Sequence, residues 1–201
     1  MGRMSDARER LLSSAGELVY TLGYQGASVE ELCERAGVKK GSFYHFFASK
    51  QELTLAALEA QWNLMRDALV EPAFASDLPP LERIQRFFDV MAEASADEQR
   101  QTGQIGGCRF GNVVAEMGSQ DPTIRHQVWS VFQAIATYFE RALEEAQSAG
   151  EVSNINPRMT ALALLAYMEG ILLLGRASHD ADMMRQLGQQ ALQFALARSA
   201  S

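Results

Sequence analysis

Two cysteines in 201 residues are too few for a disulfide framework, and Cys33 and Cys108 stand far apart with no metal-ligand spacing around either. Both are expected to be free thiols. Histidine is equally scarce. His45, His126 and His179 lie apart from one another, with no G-x-S-x-G elbow or phosphate loop to accompany them. No catalytic constellation is visible, so the chain is not expected to be an enzyme or to need a metal or other cofactor. Long apolar runs are missing too. The longest, from Ala161 to Gly175, is interrupted by Glu169 and is shorter than the roughly 20 residues that cross a bilayer. It reads as a buried helix, and no membrane partner is expected. At the amino terminus Arg3, Asp6, Arg8, Glu9 and Arg10 occupy the place where a secretory signal has its apolar stretch, which points to the cytoplasm. Strand signals are the last absence, because no clear run alternates apolar with polar residues.

Helix punctuation, by contrast, is dense. Ser28 with Glu31 and Ser49 with Glu52 fit the capping box, in which two side chains satisfy backbone N–H groups at a helix start, and Asp6 with Glu9 is a weaker version. Pro79, Pro122 and Pro157 stand where a first helical turn tolerates a missing N–H. Gly23, Gly37, Gly150 and Gly175 stand where helices would stop. Between these marks apolar residues recur at three and four, as at Leu58, Trp62, Met65 and Leu69, or Ile124, Val128, Val131, Ile135 and Phe139. The pattern predicts an all-α fold of about nine helices, near 5–22, 28–35, 39–46, 49–71, 79–99, 107–118, 121–148, 156–177 and 180–198. Residues 96–107, with Gly103, Gly106 and Gly107, read as a mobile break.

The formal net charge is −7, but it is unevenly spread: residues 1–50 hold seven Lys and Arg against six Asp and Glu. Residues 35–50 contain Arg35, Lys39, Lys40 and Lys50 and no acid at all. Such a patch can hold an anionic polymer locally while the acidic remainder discourages indiscriminate binding. The patch also has the spacing of a helix-turn-helix: a short helix, the turn Ala36-Gly37-Val38, then a second short helix. Phe43 and Phe46 are expected to turn inward with Leu32 and Ala36. Lys39 and Lys40 are expected to reach forward into a major groove, Gly41 to admit the duplex closely, and Tyr44, His45, Ser28 and Lys50 to donate to phosphates.

The stretch "ASVEELCERAGVKKGSFYHFFASKQEL", residues 27–53, closely resembles the amino-terminal signature of the tetracycline-repressor (TetR) family of bacterial transcription factors. The family pattern is Thr or Ser before the second helix, A-G-V, a polar pair, Gly, a small residue, then aromatic residues closing on S-K-x-x-L. Phe43 departs from the usual leucine or isoleucine and Cys33 from the usual alanine. The resemblance implies DNA contacts at Ser28, Lys39, Lys40, Gly41, Ser42, Tyr44, His45 and Lys50. It also implies a homodimeric repressor that binds double-stranded operator DNA and answers to a small-molecule effector. Two domains follow: 1–48 for DNA binding, and 49–201 for effector sensing and dimerisation.

One reading head touches only a few base pairs, so specificity calls for two copies on a palindrome. The helices near 156–177 and 180–198 are the candidates for pairing. "TALALLAYMEGILLLG" is apolar nearly all round, and Met184, Leu187, Ala191 and Phe194 form a stripe. The same helices could instead complete a monomer core. Trp62, Met65, Phe88, Met91, Phe110, Trp129, Phe132 and Tyr167 could line an effector pocket or simply be core. In "GGCRFGNVVAE", residues 106–116, Cys108 stands at a predicted helix start beside Arg109, where a thiol is activated. The stretch is similar to one in the N-ethylmaleimide-reductase-repressor-like branch of the family, in which a cysteine can sense electrophiles; a small residue in a helix start is the plainer reading. Helix 49–71 is the expected lever between sensor and head. A helical interaction adaptor without DNA binding is the alternative, and it leaves the basic patch unexplained.

Overall fold

The computed structural model of the chain describes residues 2–196. Among them every regular element is helical. In chain order these are α1 (Gly2–Gly26), α2 (Val29–Ala36), α3 (Lys40–Phe46), α4 (Lys50–Met65), α5 (Pro80–Thr102), α6 (Arg109–Met117), α7 (Pro122–Ser148), α8 (Pro157–Ser178) and α9 (Ala181–Leu196). After α4 the chain makes a π-helical turn over Arg66–Val70 and a last α turn over Glu71–Ala73. The single helix expected over 49–71 is therefore wound wider near its end.

The capping residues act as their types dictate. The Ser28 hydroxyl accepts from the Glu31 N–H at 3.2 Å while the Ser28 N–H donates to Glu31 Oε2 at 2.8 Å. Ser49 caps Glu52 in the same way, but the Glu52 carboxylate reaches one residue further back, to the Ala48 N–H at 2.7 Å. Asp121 and Asn156 accept from the first turns of α7 and α8. Asp6 does not stand at a helix start. Helix α1 is already under way there, and the Asp6 carboxylate pairs with Arg10 one turn on.

Two glycine expectations need correction. Residues 96–102 continue α5, because Arg100 pairs with Glu93 and Asp97 along the helix and Ala96 is buried; the break is confined to 103–108, opened by Gly103 at φ 73°. Gly175 does not end α8, which runs to Ser178 and closes on His179 at φ 54°. The reason for glycine there is proximity, since a Cβ at 175 would lie 2.2 Å from Met184 Sδ. Helix α8 is 22 residues long, and its most apolar stretch has a mean hydropathy of 1.4. By length and composition it could cross a membrane, contrary to the sequence-based expectation, although it buries Leu164, Leu165, Met168 and Ile171 within the protein.

Packing divides the chain into two units. One comprises residues 1–64 and 109–129, the other residues 65–108 and 130–201. The expected boundary at residue 48 follows the helix-turn-helix motif; the packing unit around that motif is larger. In the first unit Leu11, Ala15, Leu32, Phe43, Leu53, Phe110, Ile124 and Val128 are buried. Gly23, at φ 79° and ψ 168°, bends α1, and the Glu116 carboxylate accepts from the Tyr24 and Gln25 N–H groups at 2.7 and 2.8 Å that the bend exposes. The second unit is built on rings. Phe88 stacks on Phe139 at 6.0 Å between centroids, Phe87 meets Phe139 edge-on at 5.2 Å, and Tyr167 lies 5.4 Å from Phe194. Offset and edge-on ring pairs of this kind add about 0.5–1.5 kcal/mol each beyond the area they bury.

Candidate nucleic-acid interface

Helix α2 ends on Gly37 in the left-handed conformation, φ 62° and ψ 36°. Its N–H donates to Glu34 O, the Val38 N–H donates to Cys33 O at 2.9 Å, and Arg10 Nε holds the Ala36 carbonyl at 2.8 Å, so the turn is tied to α1 as well as to α2. This aims α3. Phe43 is fully buried with Leu32 and Ala36, as the spacing predicts. Phe46 is only half-buried, and Phe47 takes its inner place, because the chain leaves the helix at Phe47 in an extended conformation (φ −137°, ψ 124°) that turns the ring under, 6.2 Å from Phe43.

On the other face Lys39, Gly41, Tyr44 and His45 are exposed, Tyr44 at 53%. A Cβ built at Gly41 meets nothing within 4 Å. Gly41 stands in the first turn of α3, where glycine costs less than the roughly 0.5–1 kcal/mol it costs in the middle of a helix relative to alanine, and the protein's own packing gives no reason for even that cost. The open space lies outward. Tyr44 keeps its ring edge-on to Phe43 at 5.1 Å, and His45 is edge-on to Phe46 at 5.0 Å, so both rings are oriented before any partner arrives.

Two lysines differ from expectation. Lys40 pairs with Glu30 on α2 rather than reaching forward; that contact raises the ammonium pKa and lowers the carboxylate's. Both side chains are exposed, and such pairs contribute little, so the lysine can be drawn away by a phosphate. Lys50 is half-buried, donates to the Tyr24 carbonyl at 2.9 Å and sits 4.2 Å over the Tyr24 ring. It is a brace between α4 and α1. Ser28 and Ser42 are half-buried. Exposed Arg8, 5.5 Å over the Phe47 ring, was not among the sequence candidates. Nothing in the local pattern marks it, because it lies far from the motif in sequence.

The other candidates separate between the units: Trp62, Phe110 and Trp129 belong to the first, and Met65, Phe88, Met91, Cys108, Phe132 and Tyr167 to the second. Phe88 and Phe110 are core, and Trp129 is 47% exposed. Phe88 and Tyr167 meet at 6.3 Å, and the Tyr167 hydroxyl donates to Leu187 O at 3.0 Å. Cys108 is half-buried, and its thiol donates to the Glu169 carboxyl. Burial pushes that carboxyl above the usual range, with the thiol hydrogen bond pulling the other way, and Glu169 Oε1 has no partner. Arg109, expected to activate the thiol, is committed elsewhere: it lies 3.8 Å over the Tyr20 ring and donates to Gly16 O. Among the described residues no group of three or more acidic, histidine or cysteine side chains could hold a metal.

A short capped helix, a left-handed glycine turn and a second short helix with an aromatic inner face and a basic outer one define a helix-turn-helix DNA-binding protein. Residues 11–57 match the model of the tetR family of bacterial regulatory proteins, and residues 80–191 match the tetracyclin repressor-like C-terminal domain. The chain belongs to the tetR family of transcriptional regulators. It is 32% identical to the transcriptional regulator AcuR of Cereibacter sphaeroides over 168 residues, 83% of this chain and 75% of that one. It is 28% identical to the HTH-type transcriptional repressor NemR of Escherichia coli K12 over 142 residues, 71% of this chain and 69% of that one. Among solved structures, regulatory protein TetR from Rhodobacter sphaeroides superposes with a TM-score of 0.79 at 28% identity, covering 92% of this chain and 96% of that one. The reduced form of E. coli NemR does so with 0.80 at 24% identity, covering 92% and 95%, a likeness of fold. The adaptor alternative has no support.

Proposed function

We propose that the chain is a dimeric repressor that binds a palindromic operator through the outer face of α3 and releases it when a small molecule or an electrophile reaches the second unit. The observation that carries this reading is the sorting of α3: Phe43 is buried, while Lys39, Gly41, Tyr44 and His45 stand outside with open space over Gly41. Lys39 and, once drawn from Glu30, Lys40 supply cations for guanine edges or phosphates. Tyr44 and His45 donate to the backbone. Lys50 acts by bracing, and Ser28 through its cap.

Pairing of two copies through α8 and α9 is supported by the apolar side chains left outside: Met159, Leu173, Leu174 and Phe194 are all more than half exposed. Exposed apolar surface gathered on consecutive helices is the mark of an interface. For the trigger, Cys108 with its buried carboxyl partner is the candidate, in line with a relative whose structure is described as a reduced form. Fluorescence anisotropy on a duplex selected by the protein is the direct test. Affinity should fall log-linearly with salt, and Tyr44→Ala should weaken binding by about tenfold or more, equivalent to the 1–3 kcal/mol that a good DNA contact contributes. Binding that ignores both salt and Tyr44 would sink the reading. Cys108→Ser should abolish release by electrophiles; unchanged release leaves a noncovalent trigger.

A further inference from the structure

The cations around the reading head divide into those the protein holds and those it leaves over. Arg10 pairs with Asp6, Arg35 with Glu17 and Lys40 with Glu30, and Lys50 donates to the Tyr24 carbonyl. Among the described residues no carboxylate pairs with Lys39 or with Arg8. Lys39 opens α3. Arg8 belongs to α1, is exposed, and carries its guanidinium 5.5 Å over the ring of Phe47, the residue that closes α3. Phe47 is itself 2% exposed, so the ring under Arg8 is fixed in the core. A guanidinium is a flat cation whose N–H groups lie in its own plane. Lying over a ring uses the face of that plane and leaves the donor edge open. The ring therefore sets where the charge stands without consuming the hydrogen bonds it can give.

The length of α3 says what that edge meets. From Lys39 to Phe47 the helix advances about 12 Å, against a major groove about 12 Å wide and 8.5 Å deep. A recognition helix puts its first turn at the base edges, so its last turn comes out at the rim, where the phosphates are. We propose that Arg8 is a phosphate-binding residue, clamping the DNA backbone at the rim of the groove that α3 enters. The proposal rests on α3 being the DNA-binding helix and adds a contact from outside the helix-turn-helix. An arginine edge matches a phosphate bidentately, and Phe47 acts as its positioning residue. Because the contact is to the backbone, Arg8 grips every sequence alike, setting affinity and register rather than base preference.

Arg8→Met keeps a long side chain over the Phe47 ring and removes the charge, and a thermal melt checks that the fold is retained. Anisotropy titrations of the full chain use the selected duplex and versions of it with single base changes. Arg8→Met should bind every one of these duplexes several-fold more weakly at about 0.1 M salt. The slope of log affinity against log salt should become shallower by about one for each head bound. Arg8→Lys keeps the charge without the flat fork, so it should restore the slope and only part of the affinity. A wild-type slope in Arg8→Met overturns the proposal whatever the affinity, because a side chain that merely covers Phe47 displaces no counterions. A loss confined to one base change overturns it as well. Tyr44→Ala on the same duplexes separates this proposal from the one beneath it. If Tyr44→Ala weakens binding and Arg8→Met does not, α3 remains the reader and the clamp alone fails; if neither variant matters, α3 is not the DNA-binding helix and both fail.

Discussion

Gly41 is the residue at which stability and the proposed close approach of DNA pull in opposite directions. With nothing within 4 Å of a Cβ, Gly41→Ala should raise the melting temperature slightly, since alanine is favoured over glycine in a helix, by less in this first turn than the roughly 0.5–1 kcal/mol of a helix interior. The same methyl would stand where the duplex approaches, so operator affinity should fall. A thermal melt and an anisotropy titration on one preparation check both signs; a variant that melts higher and binds equally well would show that the glycine has no role at the DNA. Glu169 titrates rather than packs. The native chain holds its proton to higher pH than an unfolded one, so between those two values the native state binds more protons, and stability falls as pH rises through that window. Glu169→Gln should flatten the fall and raise the melting temperature at neutral pH, which melting curves from about pH 4 to 8 would reveal. Tracking of the wild type at every pH would mean the carboxyl is solvated. The sequence marked Glu169 only as an interruption in an apolar run; its contact with Cys108 is long-range and left no local trace. The Lys50 contacts were hidden for a related reason. Motif position put that lysine near DNA, whereas its half-buried stem found the Tyr24 ring and carbonyl.

Among the elements, those whose signals are local were legible. Caps at Ser28, Ser49, Asp121 and Asn156, together with the prolines beside two of them, located four helix starts to within a residue or so of α2, α4, α7 and α8. Glycine was less legible, because the letter does not say which of its uses applies. At Gly37 it supplies a left-handed cap, at Gly23 a bend caught by Glu116, and at Gly175 a close approach. Gly37→Ala should cost about 1–2 kcal/mol, the left-handed penalty for a residue with a Cβ, and should also loosen the aim of α3. Chemical denaturation checks the first and the operator titration the second. The π-helical turn over Arg66–Val70 was invisible, since apolar periodicity over so few residues cannot distinguish it from an α turn.

For the whole molecule, the division of charge and apolar surface carries the functional argument. The basic residues gathered at 35–50 sit in a chain of net charge −7, which confines attraction for a polyanion to the reading head. Leu173 and Leu174, 67% and 51% exposed, are the positions at which charge should break a dimer. Leu173→Glu with Leu174→Glu should sediment as a monomer and lose most operator affinity, because a single head contacts only half a palindrome. A variant that stays dimeric would move the interface elsewhere. Apolar composition marked α8 and α9 as candidates for pairing, but which of their faces remain outside depends on how closely the two helices lie within one chain. That distance is gauged by a hydrogen atom. With Met184 Sδ 2.2 Å from where a Cβ of residue 175 would stand, any side chain from alanine upward must displace the Met184 thioether, so the register of the two helices rests on where that one flexible side chain can go.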